Sequence, residues 1–173
     1  MMRRAGILAT DSAAATRAVG AALGAAARPG DVVALSGDLG AGKTVIVQGA
    51  AEALGVRGAV TSPTFNILVV HRGPVADLAH FDLYRLEHAE QLEDIDFWGV
   101  LESGCVSMIE WGDRFPEALP PDVLTVTLEI AGDEARTISL APSGTRSAAL
   151  AAGVLDACAD LEGVTVRRGG GRS

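Results

Sequence analysis

Asp31-Val32-Val33-Ala34-Leu35-Ser36, followed directly by Gly37-Asp38-Leu39-Gly40-Ala41-Gly42-Lys43-Thr44, is the stretch on which the fold turns. DVVALS is a short, nearly continuous apolar run of the kind that forms a strand buried on both faces. The octet after it fits the pattern GxxxxGK[ST]. Its glycines let successive backbone N–H groups point inward at an anion. A helical run from about Lys43 to Leu54, stopped by Gly55, brings the positive end of its dipole to the same place. Strand, glycine turn and helix N-terminus are what phosphate binding requires, and all three are present. In such a loop the Lys43 ammonium neutralises the β- and γ-phosphates and the Thr44 hydroxyl ligates Mg²⁺. Composition sharpens the reading. Lys43 is the single lysine among 14 basic residues, the rest being arginine, and a compact ammonium enters a loop that a planar guanidinium would not fit.

A phosphate loop needs an acid for the metal at a neighbouring strand end. Glu110 follows the apolar run Cys105 to Ile109, and Asp82 follows His80-Phe81. Either carboxylate reaches Mg²⁺ directly or through water; either is equally the type of residue that caps a helix or pairs with an arginine. Between loop and acids lies Thr61-Ser62-Pro63-Thr64-Phe65, which reads as a phosphate-sensing switch segment or as an ordinary Ser-Pro turn. His71, His80 and His88 share no metal-binding spacing. His80 is expected to be a satisfied structural histidine, the other reading being that it orients Asp82.

Working outward, residues 11–28 read as a helix with Asp11 or Ser12 as N-cap and Arg28-Pro29-Gly30 as its stop. Phe65 to His71 and Val75 to Phe81 form a hairpin about Arg72-Gly73-Pro74, and residues 87–103 are acidic and helical in two pieces. Val123 to Ile130 and Ala135 to Leu140 alternate about Ala131-Gly132-Asp133-Glu134, a second hairpin. Residues 1–142 are thus one nucleotide-binding domain. Residues 143–173 form a helical tail, Arg146 to Leu161, with a flexible end at Arg167-Arg168-Gly169-Gly170-Gly171-Arg172-Ser173. All aromatic residues fall between Phe65 and Phe115. Phe65 and Phe81 read as core, while Trp98 and Trp111, beside turn residues, are open to surface roles.

Length and charge exclude several classes. At 173 residues the chain is one domain with a short appendage, and 49% apolar side chains exclude wholesale disorder. A net charge of −8 argues against a surface that itself grips a nucleic-acid backbone. No stretch reaches the roughly 20 apolar residues of a membrane span, and the apolar run at Ala5 to Ala9 is too short for a leader. Cys105 and Cys158, far apart and without a CxxC, point to a reducing compartment, so the cytoplasm is expected.

GDLGAGKT at 37–44, VTSPTF at 60–65, HFDLYRL at 80–86 and IEW at 109–111 together resemble the bacterial TsaE (YjeE) family over roughly residues 10–141. Val45 stands where a second hydroxyl often occurs, which leaves Thr44 as the metal ligand. Gly112 to Phe115 depart from the pattern, and the tail from Ser143 lies outside it. The resemblance implies an α/β fold of the P-loop NTPase type, with a mixed central sheet flanked by helices. It implies ATP and Mg²⁺ as cofactors, and slow ATP hydrolysis dependent on the TsaB–TsaD heterodimer, which threonylcarbamoylates adenosine 37 of tRNA. Carried onto this sequence, Gly37 to Thr44 bind the phosphates, Thr44 with Glu110 holds Mg²⁺, and Asp82 with Lys43 and Glu110 serves hydrolysis. Trp111 and Arg136, and more weakly Thr10-Asp11, are candidate nucleotide contacts. On this reading tRNA is met only through the partners. Two rivals stand beside it: a small metabolite kinase, disfavoured because no arginine-rich lid follows the loop, and a nucleotide-binding module without useful hydrolysis.

Overall fold

The computed structural model describes residues 4–63 and 66–170. Thr64 and Phe65, and with them part of the hydroxyl-rich segment and the expected start of the first hairpin, lie outside the described residues, as do residues 1–3 and 171–173. In chain order the elements are β1 (Gly6–Thr10), α1 (Ala13–Ala26), β2 (Val32–Ser36), α2 (Lys43–Ala53), β3 (Leu68–His71), β4 (Leu78–Asp82), α3 (Gln91–Asp94) and α4 (Phe97–Glu102). There follow β5 (Val106–Glu110), β6 (Leu124–Ile130), β7 (Arg136–Pro142), α5 (Thr145–Cys158) and β8 (Val164–Arg168), with short 3₁₀ turns at Gly112–Arg114 and Pro116–Ala118 between β5 and β6.

The strands form a single mixed sheet in the order β3-β4-β5-β2-β6-β7-β1-β8. The four central strands, β4, β5, β2 and β6, are parallel, and antiparallel partners close both sides. The expected α/β fold with a mixed sheet and two hairpins is therefore the observed one. β2 is buried along its whole length, as its apolar run requires of a central parallel strand. Alternate strand residues serve two cores. Val33, Leu35, Leu78, Met108 and Val126 pack under α1, α2 and α5, while Val32, Ala34, Phe81 and Ile109 pack against Phe97, Leu101 and Phe115 on the other face.

Three features differ from the sequence reading. Gly6–Thr10, to which the sequence reading gave no element, is a strand paired with β7 and β8. The tail helix ends at Cys158, and the chain then returns as β8, so Arg167 and Arg168 stand in the sheet rather than in a frayed end. The tail is also built into the body: Leu150, Ala151, Val154 and Leu155 join the α1–α2 core. Asp122 caps α5 by accepting the Arg146 and Ser147 amides at 2.9 Å each, and Arg146 pairs with Asp31 at 2.9 Å.

The helix that carries the loop threonine is held against α1 by backbone-to-backbone approach. A Cβ at Gly49 of α2 would lie 2.1 Å from the Arg17 carbonyl oxygen of α1, and one at Gly20 of α1 only 2.3 Å from the Ile46 carbonyl oxygen. Alanine at Gly49 would gain up to about 1 kcal/mol of helix propensity, but the obstacle is backbone and cannot step aside. We expect Gly49→Ala to lose about 1–3 kcal/mol net and to melt several degrees lower. An unchanged midpoint in thermal unfolding would refute this packing account.

Candidate functional site

The carboxyl ends of β2, β4 and β5 meet at one edge of the sheet, the place where open α/β folds bind ligands. Register sets who meets whom: Leu35 pairs with Glu110 across β2–β5, and Asp82 pairs with Glu110 across β4–β5. The chain leaves β2 at Ser36 and turns through Gly37 and Gly42, whose φ angles of 143° and 108° are left-handed positions suited to glycine. At Gly37 a Cβ would also meet the Leu128 carbonyl oxygen at 2.5 Å. Gly42 is the N-cap of α2 and carries no side chain to cap it, so the first amides of the helix face the loop as an anion cradle.

Lys43 is 5% exposed. Its ammonium donates to the carbonyl oxygens of Gly37 at 2.5 Å and Asp38 at 3.0 Å, and it sits 4.1 Å from the centre of the Trp111 ring. Burial pushes its pKa below the ordinary lysine value, against the raising effect of Glu110, Asp82, Asp113 and Asp38. Trp111 reaches this position through a left-handed backbone, φ 59°, an uncommon geometry for a bulky residue that functional sites tolerate. Its ring also lies against that of Tyr84, centroids 4.9 Å apart and planes tilted by 41°.

The two candidate acids are brought together but hold different partners. Glu110, 3% exposed, accepts the Thr44 hydroxyl on Oε1 at 2.9 Å and meets His80 Nε2 through Oε2 at 2.6 Å. Asp82 accepts the Ser62 hydroxyl on Oδ2 at 2.6 Å and the Tyr84 amide on Oδ1 at 3.0 Å. His80 thus faces Glu110 and not Asp82. Lys43, Thr44, Ser62, Asp82, Tyr84, Arg85, Glu110 and Trp111 together line a cavity of about 460 Å³ beside the loop, within the usual range for a small-molecule site. Among the described residues no group of three or more His, Cys, Asp or Glu side chains is arranged to hold a metal. The Thr44–Glu110 oxygen pair instead suits a hard ion that takes few protein ligands and completes its shell with water and phosphate, as Mg²⁺ does.

Arg136, a candidate nucleotide contact, does not line this cavity. From β7 its guanidinium donates to the loop carbonyls of Ala41 at 2.9 Å and Gly40 at 3.1 Å, and to Ala135 of its own hairpin at 2.8 Å. It clamps the outside of the loop. Thr10 is buried, its hydroxyl paired with Thr16 at 2.7 Å, and neither it nor Asp11 lines the cavity. Sequence reasoning did not single out Tyr84, although it lies within the HFDLYRL run at 80–86. It also missed the partner of His80, which the β4–β5 register supplies, and those of Asp82, which come from the Ser62 segment and from the Tyr84 amide.

Fold and site together define a protein of the P-loop class, in which a loop between strand and helix holds nucleotide phosphates. Residues 10–138 match the family described as "Threonylcarbamoyl adenosine biosynthesis protein TsaE". The tRNA threonylcarbamoyladenosine biosynthesis protein TsaE of Bacillus subtilis is 39% identical over 131 residues, covering 76% of this chain and 82% of its own. That of Streptomyces coelicolor is 42% identical over 146 residues, covering 80% and 98%. The crystal structure of Bacillus subtilis YdiB superimposes with a TM-score of 0.75 at 32% identity, over 89% of this chain and 95% of that one. The chain belongs to the TsaE family, and its role lies in tRNA threonylcarbamoyladenosine biosynthesis.

If Arg136 clamps the loop, Arg136→Ala leaves the fold intact but loosens the backbone it holds. The amides of residues 40–43 should then exchange hydrogen about tenfold faster, the equivalent of roughly one lost hydrogen bond of about 1–1.5 kcal/mol. Unchanged exchange in this segment would refute the clamp.

Proposed function

We propose that this chain is a Mg²⁺-dependent ATPase, slow when alone, whose turnover is driven by the TsaB–TsaD pair and switches that pair during threonylcarbamoyl transfer to adenosine 37 of tRNA. The observation that carries the reading is the contact between Thr44 and Glu110, which puts a strand-end carboxylate on the loop hydroxyl. Bound there, Mg²⁺ would supply charge neutralisation between the β- and γ-phosphates. Lys43 adds a second positive charge once its ammonium turns from the Gly37 and Asp38 carbonyls toward the phosphates. Asp82 accepts the Ser62 hydroxyl on Oδ2 and the Tyr84 amide on Oδ1, and a carboxylate oxygen so held can accept a further bond from a water. Asp82 then orients that water toward the γ-phosphorus; the new P–O bond forms as the bond to the β–γ bridging oxygen breaks, releasing ADP and phosphate.

The hold of the loop's own carbonyls on Lys43 gives slow basal turnover a physical origin: the cation must be drawn off two acceptors and an aromatic face before it serves the phosphates. A partner that favours the turned-out lysine would raise the rate. The acidic chain leaves the tRNA to its partners. Among the described residues no helix is long and apolar enough to cross a membrane, and both cysteines are free and buried, which supports placing the reaction in the cytoplasm.

The test is phosphate release from Mg·ATP with and without the purified TsaB–TsaD pair. Stimulation of about tenfold or more, abolished by Lys43→Ala, is the expected result, since the loop lysine's charge is required for the transfer. Intact ATP binding without stimulation would overturn the partner-gated reading and turn attention to small-molecule phosphate acceptors.

A further inference from the structure

β4 reads Leu78-Ala79-His80-Phe81-Asp82, and its interior is apolar except at one position. His80 is wholly buried, on the sheet face that Leu78 and Met108 share with the α2 core. A histidine kept there for structure alone should have both ring nitrogens paired, because a buried polar atom without a partner costs about 1–3 kcal/mol. Only one is paired. Nε2 lies 2.6 Å from Glu110 Oε2, whereas Nδ1 has no hydrogen-bond partner among the described residues. A carboxylate accepts, so Nε2–H is the donor of this contact, directed at Glu110.

We infer that His80 is a positioning residue: its Nε2–H fixes the plane of the Glu110 carboxylate so that Oε1 is presented to Thr44 and to the metal position beside it. The geometry divides the carboxylate's two oxygens between two tasks. Oε2 is held by His80, Oε1 takes the Thr44 hydroxyl at 2.9 Å, and with Glu110 3% exposed, bulk water is poorly placed to replace either donor. Remove the imidazole donor and Oε2 becomes a buried acceptor without a partner, so the side chain rotates to find one and Oε1 leaves the loop. Such supporting donors change metal affinity by about 10–100-fold in other sites. The inference rests on the nucleotide reading proposed above.

The test measures binding of a non-hydrolysable ATP analogue by calorimetry across a Mg²⁺ titration, and without Mg²⁺, for wild type, His80→Phe, His80→Asn and His80→Gln. Phenylalanine keeps the ring volume but has no donor. Asparagine has a donor too short to reach Oε2, and glutamine places its amide near the Nε2 position. We expect the Mg²⁺ concentration for half-maximal binding to rise about tenfold or more in His80→Phe and His80→Asn. Metal-free binding should hold, and His80→Gln should stay within about threefold of wild type. Should His80→Phe fail to fold, the contrast between Asn and Gln decides alone. An unchanged Mg²⁺ dependence, or a Gln variant as impaired as the Asn variant, overturns the positioning role while leaving the nucleotide site intact. Absence of analogue binding by wild type itself overturns the nucleotide reading, and this inference with it.

Discussion

A hydrogen bond of 2.9 Å between the Thr44 hydroxyl and Glu110 joins two elements far apart in sequence, and most of the architecture can be understood as what keeps it in place. Thr44 is set by the turn through Gly42 and by α2, which close glycine contacts seat on α1. Glu110 is set by the parallel pairing of β2 with β5, where Leu35 stands opposite it. A one-residue slip of that register would carry Glu110 to the opposite face of the sheet. The central strands, buried on both faces, resist such a slip because it would send the side chains shaped for one core into the other. At Gly112, just beyond, a Cβ would lie 2.7 Å from the Ala34 Cβ, so the exit from β5 is tied to β2 as well.

Around that contact the site is built mainly of interactions internal to the protein. Lys43 is held by loop carbonyls and Trp111, Asp82 by Ser62 and the Tyr84 amide, and the outer face of the loop by Arg136. A loop so extensively tied keeps its shape without relying on a ligand, which lowers the ordering cost of binding. It also keeps its one lysine engaged. Preorganisation and restraint come from the same bonds, and both fit the partner-gated turnover proposed above.

Much of this was legible in the sequence because its signals are local. The strand, glycine turn and helix at 31–54 are contiguous, their periodicities do not compete, and the acids at 82 and 110 stand at ends of apolar runs. What was not legible depends on distant pairing. GILAT at 6–10 and VTVRR at 164–168 are each too short and too mixed to announce strands; they become β1 and β8 by pairing with each other, and β1 with β7. The destination of His80 had the same limitation. Its neighbour in sequence is Asp82, but the β4–β5 register and the pleat bring its ring to Glu110. Arg136 was a candidate nucleotide contact by resemblance alone; its bonds to the loop carbonyls of Ala41 and Gly40 come from the folded hairpin and had no sequence signal.

The central claim is that the loop of residues 37–44 and the strand-end acid Glu110 form one phosphate-and-metal site, with Asp82 on its water side. A crystal structure with Mg²⁺ and a non-hydrolysable ATP analogue tests it most directly. The account predicts phosphate oxygens against the backbone amides of the loop, Lys43 turned away from the Gly37 carbonyl, and the metal on Thr44 Oγ1 with Glu110 bound to it directly or through one water. A metal held by Asp82 and Ser62 with Glu110 still on Thr44, or a nucleotide outside the loop, would contradict it.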